Sequence, residues 1–220
     1  MQYLSQRLAS KPAKAPGADP PSGSLSADQR RRILDATEQL IGEHGCGGTS
    51  IEAIVKGAGV SSVTFYEHFE DKEACFVAAF DRAVVETGTT LNAAGEGEEA
   101  WGDRVRAVLG ALLATIAAEP DRSRLCLVEG QTGGPLLSAR YDATLEAAAS
   151  RLRQGRLLDT APRELPETVE EAAVGGIAWL LRQRVERGEA ETVEALLPKL
   201  VEIALSPYLG AAEAPGAPNG

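Results

Sequence analysis

The side chains between Ser61 and Lys72 are of the types that contact the phosphates and base edges of DNA. Hydroxyl, phenol, imidazole and ammonium groups donate hydrogen bonds to phosphate oxygens, whereas valine and threonine methyl groups can contact the methyl of thymine. Thr49, just before this stretch, can offer a phosphate its hydroxyl or its backbone amide. The candidate DNA contacts are therefore Thr49, Ser61, Ser62, Val63, Thr64, Tyr66, His68 and Lys72.

The spacing of the aromatic residues predicts how a helix would present these groups. At about 100° per residue, Phe65 and Phe69 define a buried side, and Val63, Thr64 and Glu67 point roughly the opposite way. Tyr66 and His68 project to either side of Glu67, so they are suited to the phosphates that border a groove. If such a helix entered the major groove of DNA, Val63, Thr64 and Glu67 would face the bases.

The sequence gives little support for a hydrolase, a metal site or a phosphate loop. The two histidines, His44 and His68, have no matching nucleophile and orienting group for a hydrolase. His44 with Cys46 could form half of a metal site, but no second pair completes it. The glycines of residues 45–48 lack the Gly-Lys-Ser/Thr that ends a phosphate loop. We therefore expect neither an enzyme nor a metal or cofactor site.

The elements that position the candidate contacts are expected to be helices. The 220 residues are only 5% aromatic and are rich in Ala, Leu, Arg and Glu, which favours an all-α fold. There is no apolar run of about 20 residues, and the three cysteines are odd in number and widely spaced, which predicts a cytoplasmic protein that does not enter a membrane. The net charge of −10 argues against indiscriminate coating of nucleic acid.

Local signals predict four N-terminal helices. A helical stripe from Ile33 to Ile41 ends at Gly45, where glycine can supply a left-handed cap. Thr49 and Glu52 have the capping-box pattern for a short second helix that ends at Gly59. Ser61 can cap the third helix and Asp71 the fourth. Two short helices joined by a glycine turn form a helix-turn-helix.

The chain is predicted to have two domains between two disordered ends. Residues 1–26 are rich in Pro, Gly, Ser and Ala and carry a net charge of +2, which indicates a disordered basic arm. Residues 27–85 form the helix-turn-helix domain, and residues 86–210, with five apolar periodic runs, form the second. Residues 88–100 mark the boundary or a loosened helix end, Pro198 should kink or divide the last run, and residues 211–220 are a disordered tail.

The stretch from Thr49 to Ala74, TSIEAIVKGAGVSSVTFYEHFEDKEA, closely resembles the DNA-binding signature of TetR-type regulators. With the preceding helix, the resemblance covers about residues 28–85. It implies an N-terminal three-helix head with a larger C-terminal helical domain for ligand binding and dimerisation, about nine helices in all. It further implies a ligand-responsive repressor that binds a palindromic operator as a homodimer, and it carries a phosphate-binding role onto Lys72.

In the second domain, the resemblance implies that the last two long helices form the dimer interface. The matching residues are Val174, Gly175, Ile177, Ala178, Leu181, Leu197, Leu200, Val201 and Ala204, for which packing within one chain is the alternative. Apolar walls for a small, largely apolar effector are Trp101, Leu109, Leu113, Ile116, Cys126, Tyr141 and Trp179, with Arg122, Glu129 or Arg140 as polar candidates.

Two basic segments could add contacts to the DNA backbone. Arg30, Arg31 and Arg32 flank the start of the first helical stripe, and the arm carries Lys11 and Lys14, which could enter a minor groove. A solvated surface is the alternative for both. Because residues 27–85 have a net charge of −4, DNA binding by this domain depends on geometry rather than on bulk charge.

Overall fold

The computed structural model describes residues 22–209, with side chains from residue 25 onward. Every regular element in this range is helical, as predicted. The α-helices are α1 Ser22–Gly48, α2 Ile51–Ala58, α3 Ser62–His68, α4 Lys72–Gly95, α5 Trp101–Ala118, α6 Pro120–Arg124, α7 Gly130–Thr132, α8 Pro135–Leu152, α9 Val169–Glu186 and α10 Leu197–Leu205. No helix in this range is both long and apolar enough for a membrane span.

Helix α1 begins at Ser22, within the segment predicted to be a disordered arm. Its buried stripe downstream, which includes Ile33 and Ile41, holds the helix against the core, so extension of the helix by a few residues costs little. The rest of the predicted arm, with Lys11 and Lys14, lies outside the described residues, as does the predicted tail. Gly45 has φ 72° and ψ 170°, a glycine conformation that kinks α1 rather than continuing it.

The next three helices begin and end at side-chain and glycine caps. Ser50, not Thr49, caps α2, because its side chain accepts the Ala53 amide; the predicted capping box is therefore wrong. Gly59 ends α2 in the left-handed conformation (φ 63°, ψ 39°), as predicted. Ser61 and Asp71 cap α3 and α4, as predicted.

Helix α4 is continuous from residue 72 to residue 95 and ends within residues 88–100, which agrees with the second of the two predicted alternatives, a helix end. Its C-terminal part packs along α5, where the buried Gly95 lets Arg104 and Val108 approach within 3.1–3.2 Å of the place a Cβ would occupy. This packing offsets the low helix propensity of the glycines. The α4 helix therefore extends across the proposed domain boundary at residue 85.

Two hydrophobic cores lie along the molecule. The first joins α1–α4 and also receives Leu125, Leu137 and Tyr141 from the C-terminal half. The second is formed by α5, α9 and α10 with their neighbours. Between them, residues 120–132 run as α6, a π-helical turn at Leu125–Glu129, and α7.

The last apolar run is divided, as predicted from Pro198. A 3₁₀ segment at Ala190–Leu196 precedes α10, and Pro198 occupies the first turn of that helix, where it needs no backbone donor. Fully buried Glu170 accepts hydrogen bonds from Arg156 (2.7 and 2.8 Å) and from the Tyr208 hydroxyl (2.8 Å). The Tyr208 hydroxyl also lies 3.0 Å from the Leu152 carbonyl, so this cluster joins the last described residues to α8 and α9.

Candidate nucleic-acid interface

Helix α3 presents one buried and one exposed side, as its aromatic spacing predicts. Phe65 and Phe69 are buried in the first core, whereas Val63 is 70% exposed and Tyr66 is 57% exposed. Ser62 and Glu67 are also exposed. The outer side of α3 therefore offers a methyl-bearing side chain, a phenol and a hydroxyl with no covering element in the described part of the chain.

Ser61 and Thr64 form the start of α3 together. The Ser61 Oγ accepts the Thr64 amide at 3.1 Å, and the two side-chain hydroxyl oxygens are 3.0 Å apart. Thr64 is half-buried, in contrast to Val63. A change at Thr64 would therefore disturb the helix cap as well as any base contact, which leaves Val63 as the cleaner candidate for base reading.

His68 is less accessible than the spacing predicts. The residue is half-buried, and its Nε2 is enclosed without a hydrogen-bond partner among the described residues. The ring lies beside Phe69, with 6.3 Å between the ring centroids. Phosphate contact by His68 stays a prediction and would have to use Nδ1, because packing at the end of α3 covers Nε2.

Thr49 has a structural role for its hydroxyl. The residue is buried, and the hydroxyl donates to the Gly45 carbonyl at 2.9 Å, which stabilises the kink at the end of α1. The prediction that this hydroxyl meets a phosphate is therefore wrong. Only the backbone amide of Thr49 is left for that role.

Lys72 ties the loop between α1 and α2 to the start of α4. Its ammonium donates to the Thr49 carbonyl at 3.0 Å and to the Cys46 carbonyl at 3.5 Å, and it lies 5.4 Å from the centre of the Phe76 ring. The residue is half-buried. Its ammonium already serves two acceptors inside the protein, so a phosphate contact would compete with this tie.

The three arginines of α1 are engaged within the protein. Arg31 pairs with Asp28 and Asp35, and the guanidinium of Arg30 lies 5.3 Å from the centre of the Phe69 ring. Arg32 donates to the carbonyls of Ala58 (2.7 Å) and Gly59 (3.3 Å).

Arg32 therefore caps the end of α2 and fixes the turn of the helix-turn-helix against α1, a role that sequence reasoning missed. The run of three arginines indicated surface charge. No local signal paired Arg32 with a turn 26 residues away.

The titratable groups near α3 do not form a reactive site. Burial raises the pKa of the Cys46 and Cys126 thiols to about 12 and that of Cys75 to about 11, so all three stay protonated at neutral pH. Among residues 22–209, no group of three His, Cys, Asp or Glu side chains has a metal-binding arrangement. The exposed side of α3 can bind through hydrogen bonds and apolar contacts.

The residues predicted to line an effector pocket do not meet in one place. Leu109, Leu113 and Ile116 are buried in the second core with Trp101 packed beside them, whereas Tyr141 and Cys126 belong to the first. Trp179 is 58% exposed on α9. Two cavities are instead lined by other residues: one of about 250 Å³ where α1, α6 and the end of α9 meet, and one of about 350 Å³ between α8 and α9.

Most residues predicted for the dimer interface are buried within the chain. Ile177, Leu181, Leu200, Val201 and Ala204 lie in the second core, and Ala178 is also buried. Val174, Gly175 and Leu197 are half-buried. Intramolecular packing is thus the role of the buried members, because α10 packs on α5, and α9 packs on α8 and α10.

Comparison with known proteins supports the DNA-binding interpretation of the first helices. Residues 33–79 match the family model "Bacterial regulatory proteins, tetR family". The regulator EthR from Mycobacterium tuberculosis, described as an HTH-type transcriptional regulator, is 34% identical over 76 residues. That match covers 34% of this chain and 34% of EthR, so the chain spans about a third of the length of this relative.

Solved structures share the fold over most of the chain. The fatty acid degradation regulator FadR from Bacillus halodurans superposes with a TM-score of 0.71 at 18% identity, covering 80% of this chain and 97% of that one. FadR from Bacillus subtilis, solved in complex with stearoyl-CoA, has the same TM-score and identity and covers 80% and 98%. A TetR family regulator from Marinobacter aquaeolei has a TM-score of 0.66 at 20% identity and covers 84% and 97%. The segment of residues 33–79, which holds the capped α2 and α3 and the exposed outer side of α3, is thus similar to the tetR family of bacterial regulatory proteins.

Proposed function

We propose that this chain is a sequence-specific DNA-binding transcriptional regulator that inserts the exposed side of α3 into the major groove. The observation that carries the proposal is the contrast along α3, where Val63 and Tyr66 are exposed and Phe65 and Phe69 are buried. A short helix fixed by its inner side and presented by its outer side is the arrangement that reads base edges. Tyr66 positions the helix on phosphate and Val63 distinguishes bases.

We propose further that two copies bind a palindromic operator through contact between their α9 helices. Gly175 and Gly176 face open space, so that nothing lies within 4 Å of the place a Cβ would occupy at either position. Trp179 is exposed about one turn away on the same helix. Small residues allow close approach of a second helix, and an exposed tryptophan supplies a large apolar contact area. This surface replaces the buried residues first predicted for the interface.

The regulator is proposed to act as a repressor that responds to a small, largely apolar effector. Support for a ligand comes from the two cavities described above, and support for an apolar one comes from the B. subtilis neighbour solved with stearoyl-CoA. A ligand changes DNA affinity only if it binds one arrangement of the protein better than another. Thermal shift with free fatty acids and acyl-CoA thioesters, followed by measurement of duplex release, tests this part.

The DNA-binding proposal is tested by selection of duplexes from a random library with the full-length chain. Recovery of a two-fold symmetric site, bound by a dimer in sedimentation, is the expected result. Gly176→Leu and Trp179→Glu should give monomers that lose operator affinity, whereas the exposed change Glu194→Gln should not. Enrichment of no sequence would contradict specific reading and favour an architectural protein.

A further inference from the structure

Residues 120–134 of the C-terminal half approach the end of α1 at three glycines. A Cβ at Gly42 would lie 2.4 Å from the Asp121 carboxylate, and a Cβ at Gly45 would lie 2.9 Å from the Glu129 carboxylate. From the other side, a Cβ at Gly133 would lie 2.8 Å from the Cys46 sulfur. Side chains of each segment thus pack directly against glycine backbone of the other, so movement of one segment must displace the other.

Glu129 makes a specific bond across this contact. Its side chain is mostly buried, and its Oε2 accepts the backbone amide of Cys46 at 2.9 Å. Arg124 provides a weaker charge partner at 3.8 Å. A carboxylate that accepts a buried backbone amide forms one of the stronger hydrogen bonds in a protein.

The segment that Glu129 holds leads directly into the helix-turn-helix. Cys46 follows the kink at Gly45 and lies five residues before the start of α2. The Cys46 and Thr49 carbonyls accept the Lys72 ammonium on α4. The segment is thus fixed by an amide bond from the C-terminal half and by carbonyl bonds from α4.

Glu129 is the last residue of the π-helical turn at Leu125–Glu129. A π turn contains one residue more than the α-helical ladder accommodates, and such turns are found mostly at functional sites. If the turn relaxed to α-helical register, Glu129 would rotate by about 100° around the helix axis and leave the Cys46 amide. The turn is therefore the element whose change of register would withdraw the carboxylate from the Cys46 amide.

From these contacts we propose that Glu129 is a positioning residue through which the C-terminal half sets the orientation of α2 and α3. The proposal rests on the proposed function, since orientation matters only if α3 reads DNA. With Glu129 on the Cys46 amide, the loop is fixed in the arrangement that binds the operator. Withdrawal of Glu129 frees the loop and lowers operator affinity.

The test measures two quantities for each full-length variant: hydrogen exchange of the Cys46 amide, and affinity for the duplex obtained by selection with the wild-type chain. Glu129→Ala should accelerate Cys46 exchange and lower operator affinity by about fivefold or more. Glu129→Gln keeps an oxygen that can accept the amide, so it should restore most of both properties. Glu170→Ala is the matched control, because it removes a buried carboxylate remote from α1 and should lower the melting temperature without changing operator affinity.

Gly133→Ala provides a second variant, which changes the C-terminal segment where it contacts the end of α1. Its Cβ would lie 2.7 Å from the Glu129 carbonyl and 2.8 Å from the Cys46 sulfur, so it should push α7 from the loop and also lower affinity. In the double variant, the effects of Gly133→Ala and Glu129→Ala on operator affinity should be less than additive. Unchanged operator affinity in folded Glu129→Ala or Gly133→Ala would overturn the proposal. If no duplex is selected, the DNA-reading proposal fails. The bond between Glu129 and the Cys46 amide is tested separately: the amide should exchange slowly in the wild-type chain and faster in Glu129→Ala.

Discussion

Replacement of Arg32 by alanine should loosen the turn of the helix-turn-helix. The guanidinium donates to the Ala58 and Gly59 carbonyls, which are otherwise the unpaired acceptors at the end of α2. A hydrogen bond from a charged donor contributes about 1.5–3 kcal/mol, and because the Arg32 side chain is 39% exposed we reduce this to about 1 kcal/mol. For a chain of this size, that corresponds to a fall in melting temperature of about 2–4 °C.

Differential scanning calorimetry and DNA affinity at several salt concentrations test this role of Arg32. Arg31→Ala is the matched control, because Arg31 pairs only with exposed Asp28 and Asp35 on α1 and should shift the melting temperature less. Arg32→Ala should lower operator affinity while leaving the salt dependence unchanged, since the guanidinium faces the turn. An unchanged melting temperature with a salt slope reduced by about one would refute the reasoning and make Arg32 a phosphate contact.

Three further predictions concern charge and reactivity. Hydrogen bonds from Arg156 and then Tyr208 hold the pKa of the Glu170 carboxyl below its usual 4.5. The ionised carboxylate therefore stabilises the fold above pH 4.5, and this stabilisation is lost as pH falls through the lowered pKa of the folded state. In urea unfolding, the stability advantage of the wild-type chain over Glu170→Gln should shrink below pH 4.5. Lys72→Ala should lower both the melting temperature and the affinity for specific and non-specific duplexes, and an affinity loss without a stability loss would contradict the tie to Thr49. Alkylation of the thiols of Cys46, Cys75 and Cys126 at pH 8 should be slower in the native protein than in the denatured protein, and rapid native labelling would contradict their raised pKa values.

The sequence was most informative where structure depends on neighbouring residues. Ser61, Asp71 and Gly59 end or begin helices by bonds to residues a few positions away, and Phe65 and Phe69 define the buried side of α3 by their spacing alone. These features follow from helix geometry and capping, so they could be predicted. The division of the last helical run at Pro198 belongs to the same class.

Contacts between distant residues could not be predicted in the same way. Apolar periodicity on α9 and α10 shows that residues such as Leu181 and Leu200 are buried, but it does not distinguish their own chain from a second copy. The tie between Arg32 and Ala58 and the bond between Glu129 and Cys46 depend on how separate helices pack. Thr49 was assigned to phosphate because of its type and Lys72 because of the family resemblance, whereas packing directs the Thr49 hydroxyl and the Lys72 ammonium inward.

The most direct test of DNA reading is the base preference of Val63→Ala. Val63 is exposed and has no capping role, so its removal should change discrimination at one position in each half-site by about 1–3 kcal/mol and leave scrambled-duplex affinity nearly unchanged. Tyr66→Phe, which keeps the ring and removes the hydroxyl, should instead weaken selected and scrambled duplexes alike. The measurement is the affinity of each variant for the selected duplex, for its single-base variants and for a scrambled duplex at fixed salt. Unaltered base preference in Val63→Ala, together with altered preference in Tyr66→Phe, would contradict insertion of α3 into the major groove as described.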